Sequence, residues 1–249
     1  MARRRAVMLA AGRGVRMGGR SPKSLVAVGE HEPLMHYLLR GLEAAGAADL
    51  LVVTGFGADL VEAFVRARWS GGVTFAFNAR WASWGNFHSV RVALDQSPGA
   101  EVIVVNSDVV VHPEVFARVI DAEGDLVLAV QARERLEAED MRVLLDGDLV
   151  RAIGKDLAPG AHGEFCGVSA IRPSAARAYL EAATEAEWRA DTGIYYEDVY
   201  ARILPRVEAR AAAVGIGEYA EVDEPADLRA AADVIARHSD AWAAAPERA

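Results

Sequence analysis

The sequence predicts an α/β fold built on a mixed, mostly parallel sheet with crossover helices. Three observations carry this. Short apolar runs bounded by turn residues alternate with segments of helical spacing. The run GEFCGVSAI at 163–171 is apolar almost throughout, as a strand covered on both faces should be. No internal repeat or low-complexity linker interrupts the 249 residues, so one domain over 1–249 is expected, with halves meeting near residue 110.

The elements follow in order. Ala6–Ala10 reads as the first strand. Pro33 opens and Gly46 closes a helix over Leu34–Ala45, because proline suits the first helical turn and glycine the position past the last. Leu50–Thr54 and Val73–Phe77 read as strands around a helix at Ala58–Arg68. A helix at Phe87–Gln96, a strand at Val102–Val105, a helix at Pro113–Ala122 and a strand at Leu126–Gln131 come next. MRVLLDGDLVRAI holds two alternating runs around Asp146-Gly147, a strong hairpin signal. Beyond 163–171 the pattern gives helices at Ser174–Glu185 and Ile194–Ile203, a strand near Arg210–Val214 and a helix at Ala226–His238. The tail over 239–249 is expected to fray.

Composition narrows the function. A net charge of −9 repels nucleic acid and anionic membrane. No apolar run approaches the roughly 18 residues of a membrane span. Ala6–Ala11 is too short for a secretory leader, and Cys166, the lone cysteine, excludes an internal disulfide and a cysteine metal cluster. A cytoplasmic protein is expected. Arg3, Arg4 and Arg5 read as a solvated basic arm. Only two lysines occur, Lys23 and Lys155, and only three asparagines, Asn78, Asn86 and Asn106. In a chain this rich in arginine, such survivors mark places that need a compact ammonium or an amide. The six histidines show no metal-ligand spacing.

The stretch VMLAAGRGVRMG raises three phosphate-loop patterns. A dinucleotide fingerprint fails because Met17 stands at the third glycine position. A Walker A loop fails because Arg20 replaces its lysine and Pro22 holds Ser21 out of a helix. The third pattern fits. LAAGRGVRMGGRSPKSL resembles the signature of nucleotidyltransferases, the pyrophosphorylases that join an NTP to a phosphorylated acceptor, with Gly12, Gly14, Arg16, Met17, Pro22 and Lys23 in place. Val15 departs from it, standing where the family has a hydroxyl residue. FNARWASWGNFHSVRVAL further resembles the cytidylyltransferase branch, which includes phosphocholine, inositol-phosphate and phosphonate enzymes.

The resemblance implies a three-layer α/β/α sandwich of the nucleotidyltransferase type, Rossmann-like and GT-A-like. Its nucleotide-binding half would run to residue 110 and its acceptor half over 111–238. Leu9, Ala10, Ala11, Gly12, Arg13, Gly14, Asn86, Ser89 and Ser107 would bind nucleotide, with Arg13 near the leaving pyrophosphate. Arg16 and Lys23 would stabilise the transferring phosphoryl group. Asp108, where the buried strand read in VIVVNSDVVV ends, and Asp223, in AEVDEPADL, would hold Mg²⁺, with Asp227 favouring the helix dipole instead. Lys155 would hold the acceptor phosphate, with Glu164, Tyr196, Glu197 and Asp198 completing the acceptor site. Tyr195 and its neighbours in YYEDVY would suit an amine. The implied reaction joins CTP to a small phosphate- or phosphonate-bearing acceptor. Another NTP with a sugar phosphate or molybdopterin acceptor, a non-catalytic binding module and a homodimer stay open.

Overall fold

In the computed structural model, which describes residues 3–19, 21–28, 32–157 and 160–243, strands and helices alternate through the first half of the chain. They are β1 (Arg4–Ala10), α1 (Leu34–Ala44), β2 (Asp49–Thr54), α2 (Ala58–Arg68), β3 (Gly72–Phe77), α3 (Phe87–Asp95) and β4 (Glu101–Asn106). A short β5 (Val109–Val111), α4 (Pro113–Asp121) and β6 (Leu126–Ala132) lead to the hairpin β7 (Arg142–Asp146) and β8 (Leu149–Gly154). Then come β9 (Gly163–Ile171), α5 (Pro173–Trp188), α6 (Tyr196–Ile203), β10 (Ala209–Val214), β11 (Tyr219–Glu221), α7 (Leu228–Arg237) and α8 (Ser239–Ala243). Arg20, His31 and residues 244–249 lie outside the described residues.

Nine strands form one sheet in the order β3-β2-β1-β4-β9-β6-β10-β8-β7. The first four pair in parallel, as do β6 and β10, while β9 runs antiparallel between β4 and β6. That central place explains why every residue of β9 is buried. Strand alternation divides the core. Val7 and Leu9 of β1 face the layer of α3, α5 and α6, with Phe87, Tyr179 and Tyr200. Ala6, Met8 and Ala10 face α1, α2 and α4, with Met35, Val61 and Phe116. The result is a three-layer α/β/α sandwich with helices on both faces.

Three features depart from the sequence expectation. Arg5 is not part of a solvated arm. It sits in β1 at 7% exposure and donates to the Gln96 carbonyl at 2.8 Å, to Asp49 at 3.2 Å and to Thr74 at 3.1 Å. A charged side chain so placed must be paired, and these three acceptors do that. The tail does not fray from residue 239. Helix α8 seats Trp242 at 6% exposure against Tyr37, ring centroids 5.7 Å apart, because an indole gains by leaving water. Strands β5 and β11 form a separate antiparallel ribbon that three-residue runs could not announce.

Replacing Arg5 by Met should lower stability by about 2 kcal/mol, since it removes the hydrogen bonds that a buried guanidinium makes to Gln96, Asp49 and Thr74. Arg3→Ala should stay within about 0.5 kcal/mol, its pair with Asp49 being exposed. Urea unfolding followed by circular dichroism measures both.

Candidate active site

The site is built where β1 and β4 end. After Ala10 the chain enters a glycine-rich loop closed by backbone bonds from Met17 and Gly19 to the Gly14 carbonyl, at 3.1 and 3.3 Å. No α-helix follows directly: single 3₁₀ turns occupy Val15–Met17 and Lys23–Leu25, and α1 waits until Leu34. That geometry separates the loop from a Walker A motif. Gly14 has φ +63°, and a Cβ there would lie 2.6 Å from the Lys23 Cβ. Only glycine lets the Lys23 stem lie against the loop.

Lys23 is the centre of the site. Its ammonium contacts Asp108 at 3.0 Å and makes a short bond to Asp223, while Arg16 reaches the other oxygen of Asp223 at 2.9 Å. Burial lowers the Lys23 pKa, but Asp108 and Asp223 outweigh it and hold the ammonium above its ordinary value. Burial likewise raises Asp223, and the bond and charge of Lys23 overcome it and hold its carboxyl below the usual range. The β5–β11 ribbon makes this meeting possible: Val222 N–H donates to the Asp108 carbonyl at 2.8 Å, and Glu221 registers with Val109. Asp108 and Asp223, 115 residues apart in sequence, thus flank one ladder.

Two cavities meet at Asp108. The first, of about 240 Å³, is lined by Leu9, Ala11, Gly12, Gly14, Lys23, Asn86, Ser89, Asn106, Ser107 and Asp108. The second, of about 180 Å³, shares Asn86, Asn106 and Asp108 and adds Arg16, Lys155, Tyr195, Glu197, Glu221 and Asp223, with Glu139 at its rim. Lys155 contacts Glu139 at 3.1 Å and lies 5.1 Å from the Tyr195 ring. Burial opposes the charge on Lys155, yet the Glu139 bond leaves its pKa raised. Glu197 is 5% exposed, and its Oε2 has no hydrogen-bond partner. Burial pushes its carboxyl up to about 8.

The structure therefore brings together most of the residues singled out in the sequence, and it leaves five of them outside both cavities. Ala10 turns its side chain into the α1 layer, because strand neighbours alternate faces. Arg13 folds back on its own loop, donating to the Gly19 carbonyl at 3.2 Å and lying over Phe56, so it does not line the first cavity. Glu164 pairs with Arg133 at 2.7 Å, and burial holds it up to about 7. It faces a wider outer hollow, not the second cavity. Tyr196 is fully buried and touches no cavity. Asp198 accepts from the Tyr195 N–H at 2.7 Å and caps α6. Asn86 stands at the start of α3 but caps nothing with its side chain; its Oδ1 accepts from the Tyr196 N–H at 2.9 Å instead. Ser89 accepts from Asn78 at 2.9 Å, so all three asparagines serve this region. Trp81 and Trp84 are loop packing, against Phe56 and Phe87.

Glu221 is the residue that sequence reasoning missed. Its carboxylate lies with those of Asp108 and Asp223 in a group whose oxygens fall within 4.8 Å of one another, a spacing that suits a metal ion. Glu221 is exposed as a residue, but desolvation of its carboxyl end and the charges of Asp108 and Asp223 push it up to about 8. The signal was its place two residues before Asp223, on the same side of an extended chain. The donor set, all carboxylate oxygen, fits a hard cation, and Asp108 Oδ1 is buried without a partner.

Residues 6–194 match the MobA-like NTP transferase domain. The chain belongs to this family. Choline-phosphate cytidylyltransferase of Streptococcus pneumoniae is 32% identical to it over 102 residues, 40% of this chain and 43% of that protein. The chain spans about half the length, or less, of the curated relatives it matches. Among solved structures, the CTP:phosphocholine cytidylyltransferase of S. pneumoniae superposes with a TM-score of 0.75 at 21% identity, over 91% of this chain and 96% of that one. The inositol-1-phosphate CTP transferase of T. maritima gives 0.76 at 18%, over 94% and 97%. These likenesses establish the family fold. Among the described residues no helix is long and apolar enough to cross a membrane.

A divalent ion placed among Asp108, Glu221 and Asp223 would compete with the Lys23 ammonium for the carboxylates of Asp108 and Asp223. Lys23→Gln should bind Mn²⁺ about tenfold more tightly than the wild type without nucleotide, a change on the order of 1.4 kcal/mol. Electron paramagnetic resonance titration measures it, and equal affinities would separate the lysine from the ion's place.

Proposed function

We propose that this chain is a divalent-metal-dependent cytidylyltransferase that joins CTP to a small acceptor carrying a phosphate or phosphonate and releases pyrophosphate. One observation carries this: the Lys23 ammonium, braced by Asp108 and Asp223, stands where a glycine-walled cavity meets a second cavity containing Lys155. The first cavity would take the triphosphate, whose oxygens glycine backbone can approach closely. The second would take the acceptor. That two similar proteins bear names specifying CTP supports the choice of nucleotide.

In the step we infer, an acceptor oxygen held by Lys155 attacks the α-phosphorus of CTP. The new P–O bond forms as the bond to the bridging β-phosphate oxygen breaks, and pyrophosphate leaves with that electron pair. Lys23 and Arg16 offset the charge that builds on the transferring group, so the protein contributes position and field rather than a covalent intermediate. Asp108 and Asp223, with Glu221, would hold Mg²⁺, which when bound neutralises phosphate charge and acts as a Lewis acid.

Glu197 and Tyr195 favour an acceptor with an amine or quaternary ammonium, of the phosphocholine or aminoalkylphosphonate type. A buried carboxyl with an unpartnered oxygen, in a cavity that an aromatic ring also lines, gains most from a cation, which would also stabilise its ionised form. Pyrophosphate release should be fastest with CTP and such an acceptor, measured over CTP, UTP, GTP and dTTP against phosphocholine, 2-aminoethylphosphonate and glucose 1-phosphate. Release with no pair would refute transferase activity, and a sugar phosphate with another NTP would redirect it. Lys23→Ala should cut turnover at least about 100-fold. Glu197→Gln should raise KM for amine acceptors about tenfold while leaving KM for CTP within about twofold.

A further inference from the structure

Tyr196 opens α6, the helix that carries Glu197, yet its own side chain is wholly buried. It makes two polar contacts away from its helix. Its backbone N–H donates to Asn86 Oδ1 at 2.9 Å, and its hydroxyl donates to Asn106 Oδ1 at 3.0 Å. Asn86 begins α3 and Asn106 ends β4, and both line both cavities. One buried residue therefore grips the carbonyl oxygens of two carboxamides on the wall shared by the two chambers.

A carboxamide has one acceptor end and one donor end, so fixing the oxygen fixes the direction of the NH₂. For Asn86 the partner is a backbone N–H, which can only donate. For Asn106 the amide nitrogen lies beside Gly167, where a Cβ would come within 2.9 Å of it. The absent side chain at 167 leaves the donor end its space.

The geometry points to Tyr196 as a positioning residue: its backbone N–H sets the flip of Asn86, and its hydroxyl, donating to Asn106 Oδ1, holds Asn106 in the flip for which Gly167 leaves room, so that the shared wall presents hydrogen-bond donors to an oxygen-rich ligand and the acceptor helix is tied to that wall. Tyr196 itself cannot touch ligand. Without its hydroxyl, Asn106 can rotate by half a turn and turn an oxygen toward ligand oxygens, which repels them. Asn86, held by the backbone, keeps its orientation.

The inference rests on the nucleotidyltransferase reading, and Tyr196→Phe tests it. The substitution removes one oxygen and keeps the ring that packs edge-on to Tyr200, at 5.3 Å, and to Phe165, at 6.1 Å. Calorimetry with Mg²⁺ and CTP, or whichever NTP the wild type binds best, should show a Kd raised about tenfold. In an Asn106→Ala background, adding Tyr196→Phe should change Kd by less than about twofold, because the effect travels through Asn106. A second measurement needs no ligand. With ¹⁵N-labelled asparagine the chain gives three side-chain NH₂ pairs, and Tyr196→Phe should displace that of Asn106 and leave that of Asn78. An unmoved Asn106 pair, an unchanged Kd, or equal effects in both backgrounds would overturn the assignment. Absence of any NTP binding by the wild type would instead refute the proposed function, with the NH₂ spectra still deciding the role of Tyr196.

Discussion

Two three-residue strands hold the site together. Where β5 pairs with β11, Asp108 and Asp223 emerge side by side at the head of the sheet, joined by the bond from Val222 N–H to the Asp108 carbonyl. With Glu221 they put three carboxylates into one corner, an arrangement that self-repulsion opposes. Lys23 and Arg16 meet that charge from the glycine loop. The loop's backbone, through Gly14, makes room for the Lys23 stem. Backbone pairing, loop conformation and charge balance are thus one constraint seen from three sides.

Much of the fold was legible in the sequence because its signals are long. Ala58–Arg68 matches the observed α2 at both ends, and the hairpin expected around Asp146-Gly147 forms, with Gly147 and Asp148 joining β7 to β8. The ribbon was not legible, since three residues carry no periodicity, and Glu221 stayed hidden with it. Tyr196 was misread although the signal was present: Tyr196, Val199, Tyr200 and Ile203 fall at helical spacing and are all buried. Asp198 was misread because an acid in the first turn of a helix finds a backbone N–H before it finds a ligand.

Rarity proved a useful guide where pattern failed. Both lysines of the chain line the two cavities, and two of the three asparagines do so directly. The third, Asn78, donates to Ser89 from behind. A composition that favours arginine elsewhere keeps lysine at position 23, where a slender stem must pass Gly14. It keeps asparagine where a single group must accept on one side and donate on the other.

The family match ends at residue 194, whereas Tyr195, Glu197, Glu221 and Asp223 lie after it. The shared region holds the loop, Lys23 and Asp108; the remainder supplies one wall of the second cavity and two of the three clustered carboxylates. During synthesis, a nascent chain can therefore display the glycine loop long before the last acid of the cluster has left the ribosome. Until β11 docks on β5, Lys23 has only one of its two counter-charges.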